Sequence, residues 1–399
     1  MHIVADEEIP CAREAFSPYG EVTLRPGRLL RREDLTRADA LVVRSVTPVG
    51  AELLTGTPVR FVGTATIGTD HLDLPWLEGA GIEWTSAKGC NARSVVEWVL
   101  AALAEWCVSE NVTWDRLTLG VVGCGTIGSK LARVAKRLGL RVLVNDPPLQ
   151  ARGALPPQHE ANAVPLEVLL EESDFVSLHV PLDRNGQWPT WHLIGADELH
   201  LMRPSAVLAN SSRGPVLDNE AAVQFAKAGL VTFVLDVFEN EPTPNRDLVK
   251  RCFLATPHVA GYSLDGKVNG TRLIAEALGR FTGEPAPWTV KLPPADAAPV
   301  QLPDASPVRQ VHAAFRAVYP IRGDDERLRE GLPLEDDADW AAHFDGLRKN
   351  YPVRREAPNY ALAAPSGNEQ VDRWLLEVLG FGAGWHEAPV GPRDSGPTG

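Results

Sequence analysis

The chain has 399 residues, which at roughly 150 residues per domain suggests two to three domains. Apolar residues make up 44% and charged residues 23%, a balance that excludes a disordered or fibrous chain. The net charge of −13 excludes a general binder of nucleic-acid backbone, while leaving room for a local cationic pocket.

The N-terminal MHIVADEEIP is acidic and lacks a long apolar run, so no secretory signal is expected. HIVAD (2–6), ALVVRS (40–45), RFVGTAT (60–66) and IEWTSA (82–87) read as strands separated by polar connectors. That alternation predicts a parallel sheet with crossovers. A helix is predicted over 93–108 from apolar residues at 95, 96, 99, 100, 103 and 107. It is interrupted by Glu105 and too short to span a bilayer, so no membrane partner is expected.

A second alternating series follows: LTLGVVG (117–123), RVLVND (141–146), FVSLHV (175–180), AVLANS (206–211), FVLDV (233–237) and CFLAT (252–256). Such continuous apolar runs are typical of parallel strands covered on both faces. A helix over about 269–281 could return the chain to the first unit. Residues 284–307 hold seven prolines in 24 positions and read as a semi-rigid linker. The expected organisation is therefore α/β, with two Rossmann-like units and a cleft between them. The first unit would comprise residues 1–92, completed by about 260–285, and the second residues 93–259. A smaller α+β unit at 308–386 and a disordered tail at 387–399 would follow. Cys11, Cys90, Cys107, Cys124 and Cys252 are scattered and form no CxxC pair. They suggest a reducing, cytoplasmic setting, with neither a disulfide framework nor a metal site.

The chemistry lies at the strand ends. Gly123-Cys-Gly125-Thr-Ile-Gly128 follows an apolar strand and opens a helix. Gly123 permits the tight turn, Gly125 the approach of backbone N–H groups to a pyrophosphate, and Gly128 close helix–strand packing. Asp146, at the end of the next strand, could accept both ribose hydroxyls of NAD and would repel the 2′-phosphate of NADP. Pro147 and Pro148 follow it, where an NADP site would want a cation. Further along, NSSRGP places Arg213 at a sheet edge, where a guanidinium suits a carboxylate. LDVFENEP and TPHVAGY bring Glu241 and His258, a carboxylate and an imidazole 17 residues apart that could form a general acid/base pair.

With GCGTIG, NSSRG, LDVFENEP and TPHVAG in this order, the chain resembles the D-isomer-specific 2-hydroxyacid dehydrogenases. A closer resemblance, to members with an added C-terminal block, rests on ADEEIPCAREAFSPYGEV, RSVTPV, FVGTATIGTDHLD, KGCNARSVVEWVL, HVAGYSLDGKVNGT and FDGLRKNYPVRRE. The resemblance implies NAD-dependent oxidation of a small phosphorylated 2-hydroxy acid by a homodimer, with residues 1–92 as the substrate-binding domain, 93–259 as the NAD-binding domain and 308–386 as a dimerisation domain. It makes His258 the proton donor/acceptor, Glu241 its partner and Arg213 the carboxylate anchor. Ser45, Thr66 and Tyr262 would contact substrate. Thr126 and Ile127 would offer backbone N–H groups to the pyrophosphate, and Ser177, Ser211, Ser212, Arg213, Asp236 and Gly261 would contact the rest of NAD. Arg44 is the first candidate for the substrate phosphate. Arg348-Lys349 and Arg354-Arg355 come next if the terminal block reaches a neighbouring subunit's cleft; otherwise they are a solvated helix face. A dehydrogenase for another acid of this type, such as 3-phosphoglycerate, is the nearest alternative. A non-catalytic NAD-sensing protein is the alternative from another class. The segment PLDRNGQWPTWHLIG departs from the pattern in its extra tryptophans.

Overall fold

The computed structural model describes residues 1–285, 288–290, 292, 293, 295 and 297–384. The tail expected to be disordered at 387–399 lies outside the described residues. The apolar runs form two all-parallel sheets. In the first, β1 (His2–Asp6), β2 (Glu21–Arg25), β3 (Ala40–Val43), β4 (Phe61–Thr64) and β5 (Glu83–Ser86) run in the order β2-β1-β3-β4-β5. β2 is the strand that sequence reading omits. It is an edge strand, EVTLR, with exposed polar ends, so it lacks the continuous apolar run of a covered strand.

Helix α1 (Ala92–Glu110) leads into the second sheet. There β6 (Thr118–Val122), β7 (Arg141–Asn145), β8 (Phe175–Leu178), β9 (Val207–Asn210), β10 (Thr232–Leu235) and β11 (Leu254–Ala255) run in the order β11-β10-β9-β8-β6-β7. β6 is flanked by β7 on one side and β8 on the other, so the direction of winding reverses there. Ligands of open α/β sheets bind outside the carboxyl ends of the strands at such a point. Helix α2 (Thr126–Arg137) starts directly after β6. Helix α3 (Leu264–Thr282) begins five residues before the expected start and returns the chain to the first sheet. Its Ile274 lies so close to β4 that a Cβ on Gly63 would sit 2.6 Å from the Ile274 side chain.

The C-terminal block adds α4 (Pro307–Val318), α5 (Ile321–Arg329) and α6 (Asp337–Lys349). It packs on its own chain. α4 lies along α1, and Val311, Ala314, Phe315 and Val318 share one core with α1, β6 and α2. Leu328, Trp340 and Phe344 enter the core on the other side of the second sheet. Asp325 of α5 accepts the N–H of Ala255 at 2.7 Å, closing the free edge of β11. The apolar surface of α1 is thus covered by α4 of the same chain.

Phe315 is 2% exposed at the α4–α1 seam. Phe315→Ala is expected to destabilise the chain by about 3–5 kcal/mol, read from denaturant midpoints. A loss below about 1 kcal/mol would show that the block is only loosely attached.

Candidate active site

The turn after β6 has the shape the glycines require. Gly123 adopts φ +90°, and a Cβ on Gly128 would lie 1.9 Å from the Gly123 carbonyl oxygen. Gly125 and Thr126 are exposed, and a Cβ on Gly125 would enter open space. Half-buried Ile127 follows in the first turn of α2. This open helix N-terminus is a cradle that an NAD pyrophosphate fits. Asp146 stands at the end of β7, half-exposed. Its Oδ2 accepts the Cys124 N–H at 2.7 Å and its Oδ1 the Leu149 N–H at 2.9 Å. The carboxylate is thereby fixed beside the cradle, and the two residues after it are prolines rather than cations. Ser211 adds a buried hydroxyl without a partner among the described residues, while Ser212 donates to Asn210 at 2.8 Å.

The loops after β9, β10 and β11 meet at the cleft. His258 Nδ1 lies 2.7 Å from Glu241 Oε2, and Glu241 Oε1 accepts the Phe238 N–H at 3.0 Å. With Nδ1–H donated to the carboxylate, Nε2 is the nitrogen left for substrate. Burial alone would raise the Glu241 pKa, but the charge and hydrogen bond of His258, helped by Arg348, hold it below the ordinary value. His258 itself has φ +58°, in the left-handed region that L-residues rarely occupy. Its N–H donates to the Asp236 carbonyl at 2.7 Å. The buried Asp236 carboxylate accepts from Thr256 Oγ1 at 2.6 Å, Val259 N–H at 2.8 Å and Ala260 N–H at 3.0 Å.

Arg213 reaches across the cleft to the loop after β4. Its guanidinium pairs with Asp70 at 2.9 Å and donates to the Ser212 carbonyl at 2.7 Å. The approach needs Gly68, where a Cβ would lie 2.0 Å from Arg213 Nη2. Gly214 likewise allows the turn to seat on the Phe238 carbonyl, 1.8 Å from where its Cβ would be. Thr66 lies in the loop that Arg213 meets, its hydroxyl 2.8 Å from Thr64 Oγ1. His71 bonds the same Thr64 hydroxyl at 3.0 Å, and burial lowers its pKa to about 4, so it stays neutral.

Exposed Ser45 and half-exposed Arg44 follow β3; Arg44 is paired with Asp6 at 2.9 Å. Tyr262 is half-buried, with the Tyr351 ring edge-on at 5.6 Å. Gly261 sits against Asn91, where a Cβ would be 2.0 Å from Nδ2.

Three expected placements differ in the structure. Ser177 is 0% exposed and pairs with His179 at 2.9 Å, and the accessible end of that strand is His179–Val180. Asp236 turns inward and holds the His258 loop, so its carboxylate is not a free cofactor ligand. Arg348 lies in its own chain's cleft, where Tyr262, Glu241 and Asp345 raise its pKa against the effect of burial. Arg354 and Arg355 are neither exposed nor in a cleft. Arg354 donates to the Ala260 carbonyl at 3.0 Å, and Arg355 pairs with Asp265 at 2.9 Å. The residue that sequence reading missed is Lys267, one turn into α3, with Nζ 4.4 Å from the centre of the Tyr262 ring. The available signal was a lysine in the first turn of a helix, where the dipole disfavours it.

One trio among the described residues, His192, Asp218 and Glu239, has metal-ligand chemistry. His192 Nε2 is 2.8 Å from Glu239 Oε1, and Glu239 Oε2 accepts the Asn219 N–H at 3.2 Å. These atoms tie the segment before β9 to the loop after β10.

Residues 102–260 match the family model of the D-isomer specific 2-hydroxyacid dehydrogenase NAD binding domain, and 291–379 match a domain of unknown function. The chain is 45% identical over 388 residues to the erythronate-4-phosphate dehydrogenase of Pseudomonas entomophila, covering 95% of this chain and all of that one. Among solved structures, a glyoxylate reductase from Paecilomyes thermophila is 26% identical with a TM-score of 0.59, covering 72% of this chain and 97% of that one. The D-lactate dehydrogenase of Aquifex aeolicus shares the fold at TM-score 0.59 and 24% identity, over 71% of this chain and 96% of that one.

Asp146→Ala is expected to weaken NAD binding about 10- to 100-fold and to reduce discrimination against NADP, measured by titrating both cofactors. The Glu241 pair sets an acid limb of stability. Folding lowers its pKa, so its ionised form stabilises the fold above the unfolded value of about 4.3. That contribution is lost as pH falls below this value through the lower folded-state pKa. Glu241→Gln is expected to flatten the dependence of denaturant midpoint on pH below about 5; an unchanged limb counts against the pair.

Proposed function

The chain belongs to the erythronate-4-phosphate dehydrogenases within the D-isomer-specific 2-hydroxyacid dehydrogenase family, and from that membership we propose its reaction. It oxidises the C2 hydroxyl of 4-phospho-D-erythronate to 3-hydroxy-2-oxo-4-phosphooxybutanoate with NAD, a step towards pyridoxal 5′-phosphate. The observation that carries the chemistry is the 2.7 Å contact between His258 and Glu241 at the cleft.

His258 Nε2 takes the C2 hydroxyl proton, and Glu241 balances the charge of the imidazolium that forms. Its carboxylate also fixes the ring plane, so the free nitrogen faces one direction only. Bound NAD supplies the acceptor for the hydride that leaves C2. The turn at Gly123, Gly125, Thr126, Ile127 and Gly128 would hold its pyrophosphate, and Asp146 its ribose. Ser211, Ser212 and Gly261 line the remainder of that site. Arg213 exchanges Asp70 for the substrate carboxylate and steadies the developing carbonyl oxygen. Ser45, Thr66 and Tyr262 contact the substrate, and Arg44 meets its phosphate.

We read the working form as a cytoplasmic homodimer. Four of the five free cysteines are buried, as suits a reducing compartment, and no described helix is long and apolar enough to cross a membrane. The dimer rests on the family resemblance, since α4 already covers α1.

His258→Ala is expected to lower turnover about 100-fold or more while leaving NAD affinity within twofold, the scale of a general acid/base. Substrate identity is checked by initial rates on 4-phospho-D-erythronate and on 3-phosphoglycerate. Equal or faster oxidation of 3-phosphoglycerate would replace the first acid by the second.

A further inference from the structure

Around Arg213 and Tyr262 the arginines are partnered. Arg213 pairs with Asp70 at 2.9 Å, Arg44 with Asp6 at 2.9 Å, and Arg348 lies 3.8 Å from Asp345. Lys267 forms no ion pair and donates no hydrogen bond among the described residues. Its ammonium instead rests over the Tyr262 ring at 4.4 Å, four residues beyond the catalytic histidine. Such a contact favours a cation without satisfying its N–H donors.

Lys267 is exposed, so its ammonium reaches solvent, yet several terms oppose its charge. Partial desolvation lowers the Lys267 pKa, the Arg44 and Arg354 guanidinium groups lower it further, and Glu8 raises it. The dipole of α3, a helix of 19 residues whose first turn carries the lysine, opposes it as well. A cation kept against these terms, with its donors unspent, suits an anion that arrives from solution. Arg44 offers the complementary half. Its Nε and Nη2 are committed to Asp6, while Nη1 makes no hydrogen bond among the described residues.

We infer that Lys267 and Arg44 together form the subsite for the terminal phosphate of the substrate, with Tyr262 as its wall. The inference rests on the proposed reaction and adds to it the residue that selects a phosphorylated acid. The arrangement follows the order of groups along the substrate. Arg213 holds the carboxylate at C1, His258 Nε2 serves C2, and the phosphate at C4 lies beyond them, on the side of Tyr262 and α3. A phosphate dianion gives Lys267 its missing acceptors and relieves its repulsion with Arg44.

The test compares 4-phospho-D-erythronate with D-erythronate, the same acid without phosphate. Both are titrated into the NADH complex of the full chain, and oxidation of the phosphorylated acid is followed at steady state. Lys267→Ala is expected to weaken binding of the phosphorylated acid about 10- to 100-fold, chiefly through KM, and to change D-erythronate binding less than twofold. Lys267→Arg is expected to restore most of the loss. Equal losses on both acids, or a loss on neither, would overturn the subsite while leaving the reaction standing. A wild-type chain that does not oxidise 4-phospho-D-erythronate would overturn the reaction and this subsite with it.

Discussion

The site depends on one buried carboxylate. Asp236, at the end of β10, gathers Thr256 Oγ1 and the N–H groups of Val259 and Ala260, and its carbonyl receives the N–H of His258. These bonds bracket the residue whose backbone lies in the left-handed region, a conformation that costs about 1–3 kcal/mol when a side chain is present. Hydrogen bonds to an ionised group contribute about 1.5–3 kcal/mol each, so three of them can hold the strained turn. Burial pushes the Asp236 pKa up, opposed by His258 and by the hydrogen bonds it accepts. The His258 imidazole is thus positioned by a group that never reaches the cleft.

The C-terminal block reinforces the same loop from outside. Ser94 on α1 donates to the Ala260 carbonyl at 2.7 Å, and Arg354 donates to it at 3.0 Å. The Arg354 carbonyl in turn accepts the N–H of Leu264 at the start of α3, at 2.8 Å. Arg354 is 6% exposed and packs 4.0 Å from the centre of the Tyr319 ring. Its charge is balanced inside the protein by the Glu97 and Glu356 region, where burial raises the pKa of Glu97 to about 7. A block that composition marks off by a proline-rich stretch is in three dimensions a buttress of the active-site loop. The loop after β11 and the segment after α6 therefore share one polar seam.

How much of this was legible in sequence follows from the physics of each part. Covered parallel strands expose no alternation, so their apolar runs stand out, and β6 to β11 were readable within a few residues. β2 was not, because an edge strand carries its polarity at both ends. The glycine turn, Asp146, Arg213, Glu241 and His258 were readable because each occupies a strand end, where direction is set by topology. Ser177 and Asp236 mark the limit of such reading. A motif locates a residue along the chain, but the pleat decides whether its side chain points to a cleft or into the sheet. For Arg354 and Arg355 the deciding partners lie about 90 residues away in sequence, beyond any local pattern.

The net charge of −13 also takes on a definite meaning at the cleft. An acidic surface does not attract a substrate that carries both carboxylate and phosphate, so long-range steering contributes little to its capture. Recognition must come from local exchange. Arg213 already holds a carboxylate, that of Asp70, and Arg44 holds that of Asp6. Replacing one carboxylate by another at Arg213 gains little energy, because the bond made resembles the bond broken. On the proposed reaction it gives specificity of position, since an acid that displaces Asp70 would place its C2 hydroxyl beside His258 Nε2. Net binding energy has to come from a cation that is unpaired beforehand, where a new charge-assisted contact forms without an old one being lost. On the cleft wall that cation is Lys267, so the phosphate, remote from the reacting carbon, can supply the affinity that the carboxylate does not.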